Sequence, residues 1–369
     1  MDRRNPLIML AALLAALALG PASAGAAPSV VVGSRVDLSG ARVLGRGSIP
    51  PGVHFIGARG LSAGARVVIA IDGRRVGAVR RAPWAVRVSL RVGGHLARVT
   101  IITDAGASTR SVRFRVQRVY PLHTRINATT FWVGEQFQQT ADGSQVCSAY
   151  DSRWQYSYFR LATGVSDSQG CAGAPTGGCD ALLRSAGGAC DDANAVASLR
   201  TPVNDYQPAA GVAPVYENPF YLDLPYDDYN VSDATDTTGF ARRCRDVPWA
   251  RDPGFAGRCT DTSFSYLKNR WVRVSAHGRT CYGQVEDAGP ADDGHGNGNY
   301  ADAAYVFGHA DARPYNRAYD AAGMDVSPAL GACLGGTFNE NLEVSWRFVD
   351  LADVPLAPFR RRVTTTAPN

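Results

Sequence analysis

All eight cysteines of this chain lie after residue 140: Cys147, Cys171, Cys179, Cys190, Cys244, Cys259, Cys281 and Cys333. An even set in an exported chain reads as a disulfide framework, whose connectivity the spacing alone does not fix. No two have C-x-x-C spacing and the six histidines are scattered, so neither a zinc site nor any other metal or cofactor is expected. The stretch before residue 140 has no cysteine at all. The chain therefore divides into two parts that must be stabilised differently.

The N-terminus supports an oxidising destination. Arg3 and Arg4 precede "LIMLAALLAALALG", an apolar run of 14 residues, and small-residue sites follow at "ASA" and at "GAA", which ends at Ala27. That is the shape of a secretory signal over residues 1–27, and the run is too short to span a bilayer comfortably. The mature chain is expected outside the cytoplasm, secreted or at the cell surface, with no membrane span.

Charge divides the chain at the same place. From Pro28 to Tyr120 there are 16 arginines against Asp37, Asp72 and Asp104, a net of 16 − 3 = +13. From Pro121 to Asn369 there are 20 basic and 29 acidic residues, a net of 20 − 29 = −9. Lys268 is the only lysine. The arginines of the first part alternate with apolar residues instead of clustering, which is the pattern of a solvated strand surface. The same charge would attract an anionic polymer in a salt-sensitive way. No nucleic-acid partner is implied.

Residues 28–118 read as all-β. "ARVVIAIDG", "WAVRVSLRV", "ARVTIITDAG" and "RSVRFRVQRV" alternate apolar and polar residues, the period of half-buried strands. "DGRR", "VGGH" and "DAGAS" separate them as turns. Regular short strands at this spacing predict a sandwich. The stretch from Val67 to Val116 resembles the bacterial immunoglobulin-like modules attached to surface enzymes, which implies a spacer or binding module without catalysis. Residues 119–127 read as a linker, and 356–369 as a peripheral tail.

The second part, 128–355, opens with "TTFWVGEQF" and continues through a Gly/Ala/Cys-rich insertion at 164–198. "NPFYLDLPYDD", "VRVSAHGRTCYGQVEDAGP" and "GMDVSPAL…LEVSWRFV" follow. In that order these segments resemble the double-psi β-barrel of the expansin and rare-lipoprotein-A type. The last one, an aspartate, Ser-Pro, a short helix and a Trp-Arg closing strand, is the most specific. The resemblance implies a mainly β protein: an immunoglobulin-like sandwich followed by a six-stranded double-psi barrel with a disulfide-bearing insertion. Its partner would be a cell-wall polysaccharide, peptidoglycan or another glycan.

The resemblance also places Asp325 in the barrel groove and Asp287 in the hairpin before it. The chain departs from the family at three points. The insertion has no counterpart in small members, Asp223 stands where a small apolar residue is usual, and the rare-lipoprotein-A histidine has no equivalent.

Asp325 as a proton donor needs a pKa raised by burial; otherwise it serves the helix that Ser327-Pro328 begins. Asp287 can equally bond its own turn. Glu135 is the candidate second carboxylate, since glycoside hydrolysis usually takes two. Trp132, Phe131, Tyr221 and Tyr226 are candidate sugar-stacking rings, with Tyr282 and Trp346 as further walls. The loop 287–302, holding Asp292, Asp293, Asn297, Asn299 and Asp302, is oxygen-rich but lacks the EF-hand spacing. The expected function is polysaccharide binding and loosening as in expansins, because no second catalytic residue is recognisable. The alternatives are glycan cleavage with Asp325 as acid and adhesion through an inactive barrel.

Overall fold

The structure, a computed structural model, describes residues 28–135, 145, 147–160, 176–177, 183–184, 200–206, 214–231, 237–252, 254–291 and 298–369. The leader 1–27, Cys171, Cys179, Cys190, Asp292, Asp293 and Asn297 lie outside the described residues. The chain divides after Arg118 into two compact units.

The first unit contains β1 (Ser29–Gly33), β2 (Arg42–Val43), β3 (Gly52–Arg59), β4 (Arg66–Ile71), β5 (Arg74–Val79), β6 (Ala85–Leu90), β7 (Gly93–Thr103) and β8 (Gly106–Val116). They form two four-stranded sheets, ordered β2-β1-β3-β6 and β5-β4-β7-β8. The alternation acts as expected: in β4, Val67, Ile69 and Ile71 are buried while Arg66, Val68 and Ala70 are half-exposed. Val67 and Ile69 join Val30, Ile56, Val88, Val99 and Phe114 in one apolar core drawn from both sheets. Asp72 and Gly73 both take positive φ, 50° and 81°, as a two-residue hairpin turn requires. Asp72 also accepts from the Leu96 amide at 2.8 Å and meets His95 Nδ1 at 2.7 Å, tying this hairpin to β7.

In the second unit, a two-residue pair, β10 (Thr176–Gly177) and β11 (Leu183–Arg184), lies within the insertion. The other strands are β9 (His123–Thr130), β12 (Tyr221–Asp223), β13 (Trp271–Ala276), β14 (Arg279–Asp287), β15 (Met324–Val326) and β16 (Leu342–Val349). These six close a barrel in the order β12-β14-β13-β16-β9-β15. Two pairings, β12 with β14 and β15 with β9, are parallel, and the other four are antiparallel. Parallel neighbours cannot be joined by a hairpin, so the chain must cross over the barrel to make them.

Ile126, Leu222, Val272, Val274, Val285, Met324, Val326 and Trp346 fill the interior. A second apolar cluster sits apart from it, where the helix Trp154–Phe159 contributes Trp154, Tyr158 and Phe159 against Phe131, Val133, Val215 and Tyr221. Ser327 caps the helix Pro328–Leu334 by accepting from the Leu330 amide at 3.2 Å, with Pro328 in the first turn. Disulfides join Cys281 of β14 to Cys333 of that helix, and Cys244 to Cys259. Cys147 is also disulfide-bonded.

Two expected boundaries move. Residues read as a linker belong to the barrel unit: β9 begins at His123, and Tyr120 is buried against Trp249 and Phe348. The tail is not peripheral. Phe359 packs on Phe220, Thr364 exchanges hydrogen bonds with Asn218 and Gln284, and the Asn369 amide donates to Tyr150 O at 3.2 Å.

Candidate active site

Strand register brings three aspartates together. Asp223 and Asp287 are direct partners across the parallel pair of β12 and β14. Leu222 faces Val326 across the antiparallel pair of β12 and β15, which sets Asp223 beside Asp325. Asp325 in turn faces Thr129 of β9. Met324 and Val326 are buried while Asp325 between them is half-exposed, so period-two alternation turns its carboxylate away from the barrel core. The register slips between Leu222 and Asp223, with Glu286 of β14 left over, so that Asp287 and not Glu286 faces Asp223. Such a bulge re-aims the side chain that follows it on its own strand.

Hydrogen bonds fix each group. Asp325 accepts from the Thr129 hydroxyl, and its amide donates to Asp223 Oδ1 at 2.6 Å. Asp287 Oδ1 accepts from the Ala149 and Ala288 amides, each at 2.7 Å, and Oδ2 accepts from the Gln145 side chain. Glu135 arrives on a turn in which its amide donates to Trp132 O at 2.9 Å and its carbonyl accepts from the Gln145 amide at 2.7 Å. Gly289 is required by close approach: a Cβ there would lie 2.6 Å from Asp223 Oδ2.

The four carboxylates line one cavity of ≈ 430 Å³. Thr129, Thr130 and Phe131 form one part of its wall, and Gly289, Pro290, Ala291, Tyr300 and Tyr319 form another. Desolvation dominates the electrostatics. Burial raises Asp325 to about 6, against hydrogen bonds from Thr129 and Asp223 that pull it down. Burial, then the charges of Asp325 and Asp287, drive Asp223 well above the carboxylate range. Asp223 is thus the weaker acid of that pair. Burial lifts Asp287 to about 7 despite its two amide donors, and Glu135 to about 8, with Asp325 adding repulsion. Near neutral pH one cavity therefore holds both an ionised carboxylate and protonated ones.

Asp325, Asp287 and Glu135, named from the sequence, are brought together. Asp325 does not cap the following helix; Ser327 does. Of the expected stacking rings Phe131 lines the cavity, and the others lie elsewhere. Tyr221 is 0% exposed beneath the helix Trp154–Phe159 and accepts from the Val133 amide at 3.0 Å. Tyr226, equally buried, hydrogen-bonds Asp246 at 3.0 Å. Trp346 is inside the barrel, donating to the Tyr305 hydroxyl at 2.8 Å. Trp132 packs on Phe338 and Tyr282 on Phe359. The cavity's own rings are Phe131, Tyr300 and Tyr319.

Asp223, Tyr300 and Tyr319 were not singled out as site residues. For Asp223 the signal was its departure from the family pattern. In the loop 287–302, Asn299 and Asp302 hold local backbone amides, and Asp302 caps the helix Ala303–Val306. Among the described residues no group of side chains is placed to hold a metal ion.

No protein-family model and no curated protein matches this chain. Among solved structures, fibronectin(III)-like modules of CbhA from Clostridium thermocellum match with 26% identity and a TM-score of 0.17, over 20% of this chain and 85% of theirs. CopC from Methylosinus trichosporium OB3b matches with 16% identity and a TM-score of 0.14, over 20% of this chain and 86% of its own. Both likenesses are confined to a fifth of the chain.

Proposed function

We propose that the second unit is a double-psi barrel of the expansin and rare-lipoprotein-A type that cleaves a cell-wall polysaccharide, peptidoglycan glycan strands first among them. The two parallel pairings in an otherwise antiparallel barrel support the family assignment, together with the Asp-x-Ser-Pro helix start and the Trp-Arg closing strand. The observation behind the activity is the convergence of Asp325, Asp223, Asp287 and Glu135 on one cavity with differently tuned acidities. Separated acidities in one site divide the acid role from the base role.

Glu135, protonated at neutral pH, donates to the glycosidic oxygen as the bond to the leaving sugar breaks. Asp325, ionised and steadied by the Thr129 hydroxyl, faces the positive charge developing on the sugar ring. It then takes the proton of the attacking hydroxyl. The acid role passes from Asp325 to Glu135 because hydrogen bonds hold Asp325 down against its burial, whereas the charge of Asp325 adds to the burial that raises Glu135.

The test is incubation of the protein with purified glycan strands, followed by mass spectrometry for new reducing or anhydro ends. Glu135→Gln and Asp325→Asn should each lower the rate by about 10²–10⁴. The wild-type rate should be bell-shaped, rising near pH 6 as Asp325 ionises and falling near pH 8 as Glu135 does. Strands retained but never cut would instead select expansin-like binding. Loss of activity in neither variant would remove both residues from the mechanism.

A further inference from the structure

The mouth of the cavity carries an unusual piece of backbone. Tyr319, Asp320 and Ala321 all have positive φ, 46°, 57° and 54°. Side chains with a Cβ visit this region singly and at a cost, so three in succession persist only where neighbours hold them. Here the neighbours are asparagines. Asn127 Nδ2 donates to Asp320 O at 3.1 Å, Asn341 Nδ2 to Asp320 Oδ2 at 2.8 Å, and Asn316 Nδ2 to Ala322 O at 3.0 Å. Asn127 lies in β9, four residues before Phe131 of the cavity wall, and Asn341 immediately precedes β16. The strained run is thus anchored to the barrel and leads directly into β15 and Asp325.

What this anchoring presents is one ring. Tyr319 is 67% exposed and yet lines the carboxylate cavity. It lies close enough to Tyr300, on the same wall, for their charges to interact. A large aromatic ring held out to solvent on a strained support gains nothing for folding. A sugar offers an apolar face, which a flat ring can cover, and equatorial hydroxyls, which the carboxylates can bind.

We propose that Tyr319 is a stacking platform for a sugar ring of the glycan chain, the subsite that sets which linkage lies over Asp325 and Glu135. This rests on the glycan reading of the cavity. The anchored left-handed run fixes the backbone from which the ring projects, so little backbone freedom remains to be lost there when the chain binds. Tyr319 is a positioning residue and takes no part in proton transfer.

The test measures binding of purified peptidoglycan glycan strands by calorimetry, and their cleavage by mass spectrometry, with the full-length wild type and four variants. Tyr319→Ala should weaken binding roughly tenfold, chiefly as a raised KM, with kcat changed far less. Tyr319→Phe should restore both. Ala321→Gly should raise the melting temperature by relieving the left-handed residue, and still weaken binding because the platform loosens. Asp325→Asn, by contrast, should bind and not cut. A melting temperature of Tyr319→Ala equal to wild type excludes misfolding as the cause. If Tyr319→Ala binds and cleaves like wild type, or if Phe fails to rescue, the platform is overturned while the cavity's activity stands. If the wild type neither binds nor cuts the strands, the platform falls together with the glycan reading.

Discussion

The two units keep polarity in opposite places. Every buried polar or charged side chain among the described residues lies in the barrel unit, from His123 to Thr364, whereas the sandwich buries apolar side chains only. The sandwich carries its charge outward: Arg98, Arg113 and Arg115 are exposed on β7 and β8. The barrel unit takes carboxylates inside, and asparagine and the C-terminal tail hold several of them: Asn230 donates to Asp227, Thr366 to Glu217 and Asn369 to Asp151. A sheet pair with strict alternation closes on hydrophobic burial alone. Desolvated carboxylates raise the free energy of the fold that contains them, and that cost is confined to the barrel unit.

The largest expected effect falls on Lys268. Its ammonium meets Glu286 Oε2 at 3.2 Å with both side chains 1% exposed. Glu217 and Asp151 lie within electrostatic reach. Removing one partner of a buried pair leaves an uncompensated charge, so Lys268→Ala should destabilise the barrel by about 3–5 kcal/mol in urea titration. The sandwich transition should not move. Because Lys268 is the only lysine, amine-reactive labelling gives an independent readout. The native protein should react at its terminal amine alone, and Lys268 should label only as the barrel opens. Labelling of Lys268 in the native state would break the contrast between the units.

Strands were legible where the pattern is one-sided. β4, β7 and β8 alternate cleanly because one face of each meets a core and the other meets water. The Ser327-Pro328 helix start was legible because a cap is a local event. Asp223 was not, since "YLDL" reads as a plain strand and the register slip that sets it opposite Asp287 leaves no mark in the sequence. The rings were misjudged for a related reason. Alternation gives Tyr221 a face but does not say that the helix Trp154–Phe159 covers it. Tyr319 lay in a stretch with no glycine, so its left-handed run had no sequence signal, and the asparagines that hold it come from distant segments.

An intermediate effect concerns pH, where the two units should respond with opposite sign. Burial raises Asp325 to about 6, Asp287 to about 7 and Glu135 to about 8. The folded barrel therefore binds more protons than its unfolded chain. Their contribution is complete at acid pH, below the ordinary carboxylate range, and is lost as pH rises through about 6 to 8. In the sandwich, burial acts to raise Asp72, but hydrogen bonds from His95 and the Leu96 amide outweigh it and hold the group below its ordinary value. That contribution is present above the ordinary carboxylate pKa and is lost only on acidification. Calorimetry between pH 5 and 8.5 should show the barrel transition falling while the sandwich transition stays level. Trp84 is the sole tryptophan of the sandwich among six in the chain, so fluorescence can assign the two. A barrel transition that rises with pH would show that these carboxylates are solvated in the native protein.

The smallest effect belongs to the sandwich surface. With a net charge of 16 − 3 = +13 over residues 28–120, this unit should hold the protein on an anionic polymer at low ionic strength, while the net −9 of the rest is repelled. Such an attraction is diffuse. It should disappear by about 1 M salt, where the Debye length has shrunk to about 3 Å. Exposed charges contribute little individually, so Arg98→Ser with Arg113→Ser should shift elution from a polyphosphate column to lower salt without abolishing retention. Neither substitution touches the apolar core, so the sandwich melting temperature should be unchanged. If the double variant elutes with wild type, the arginines of β7 and β8 are not the contact and the charge there serves solvation alone. If retention persists at 1 M salt, the contact is not electrostatic, and the difference between the two units is one of packing and not of partners.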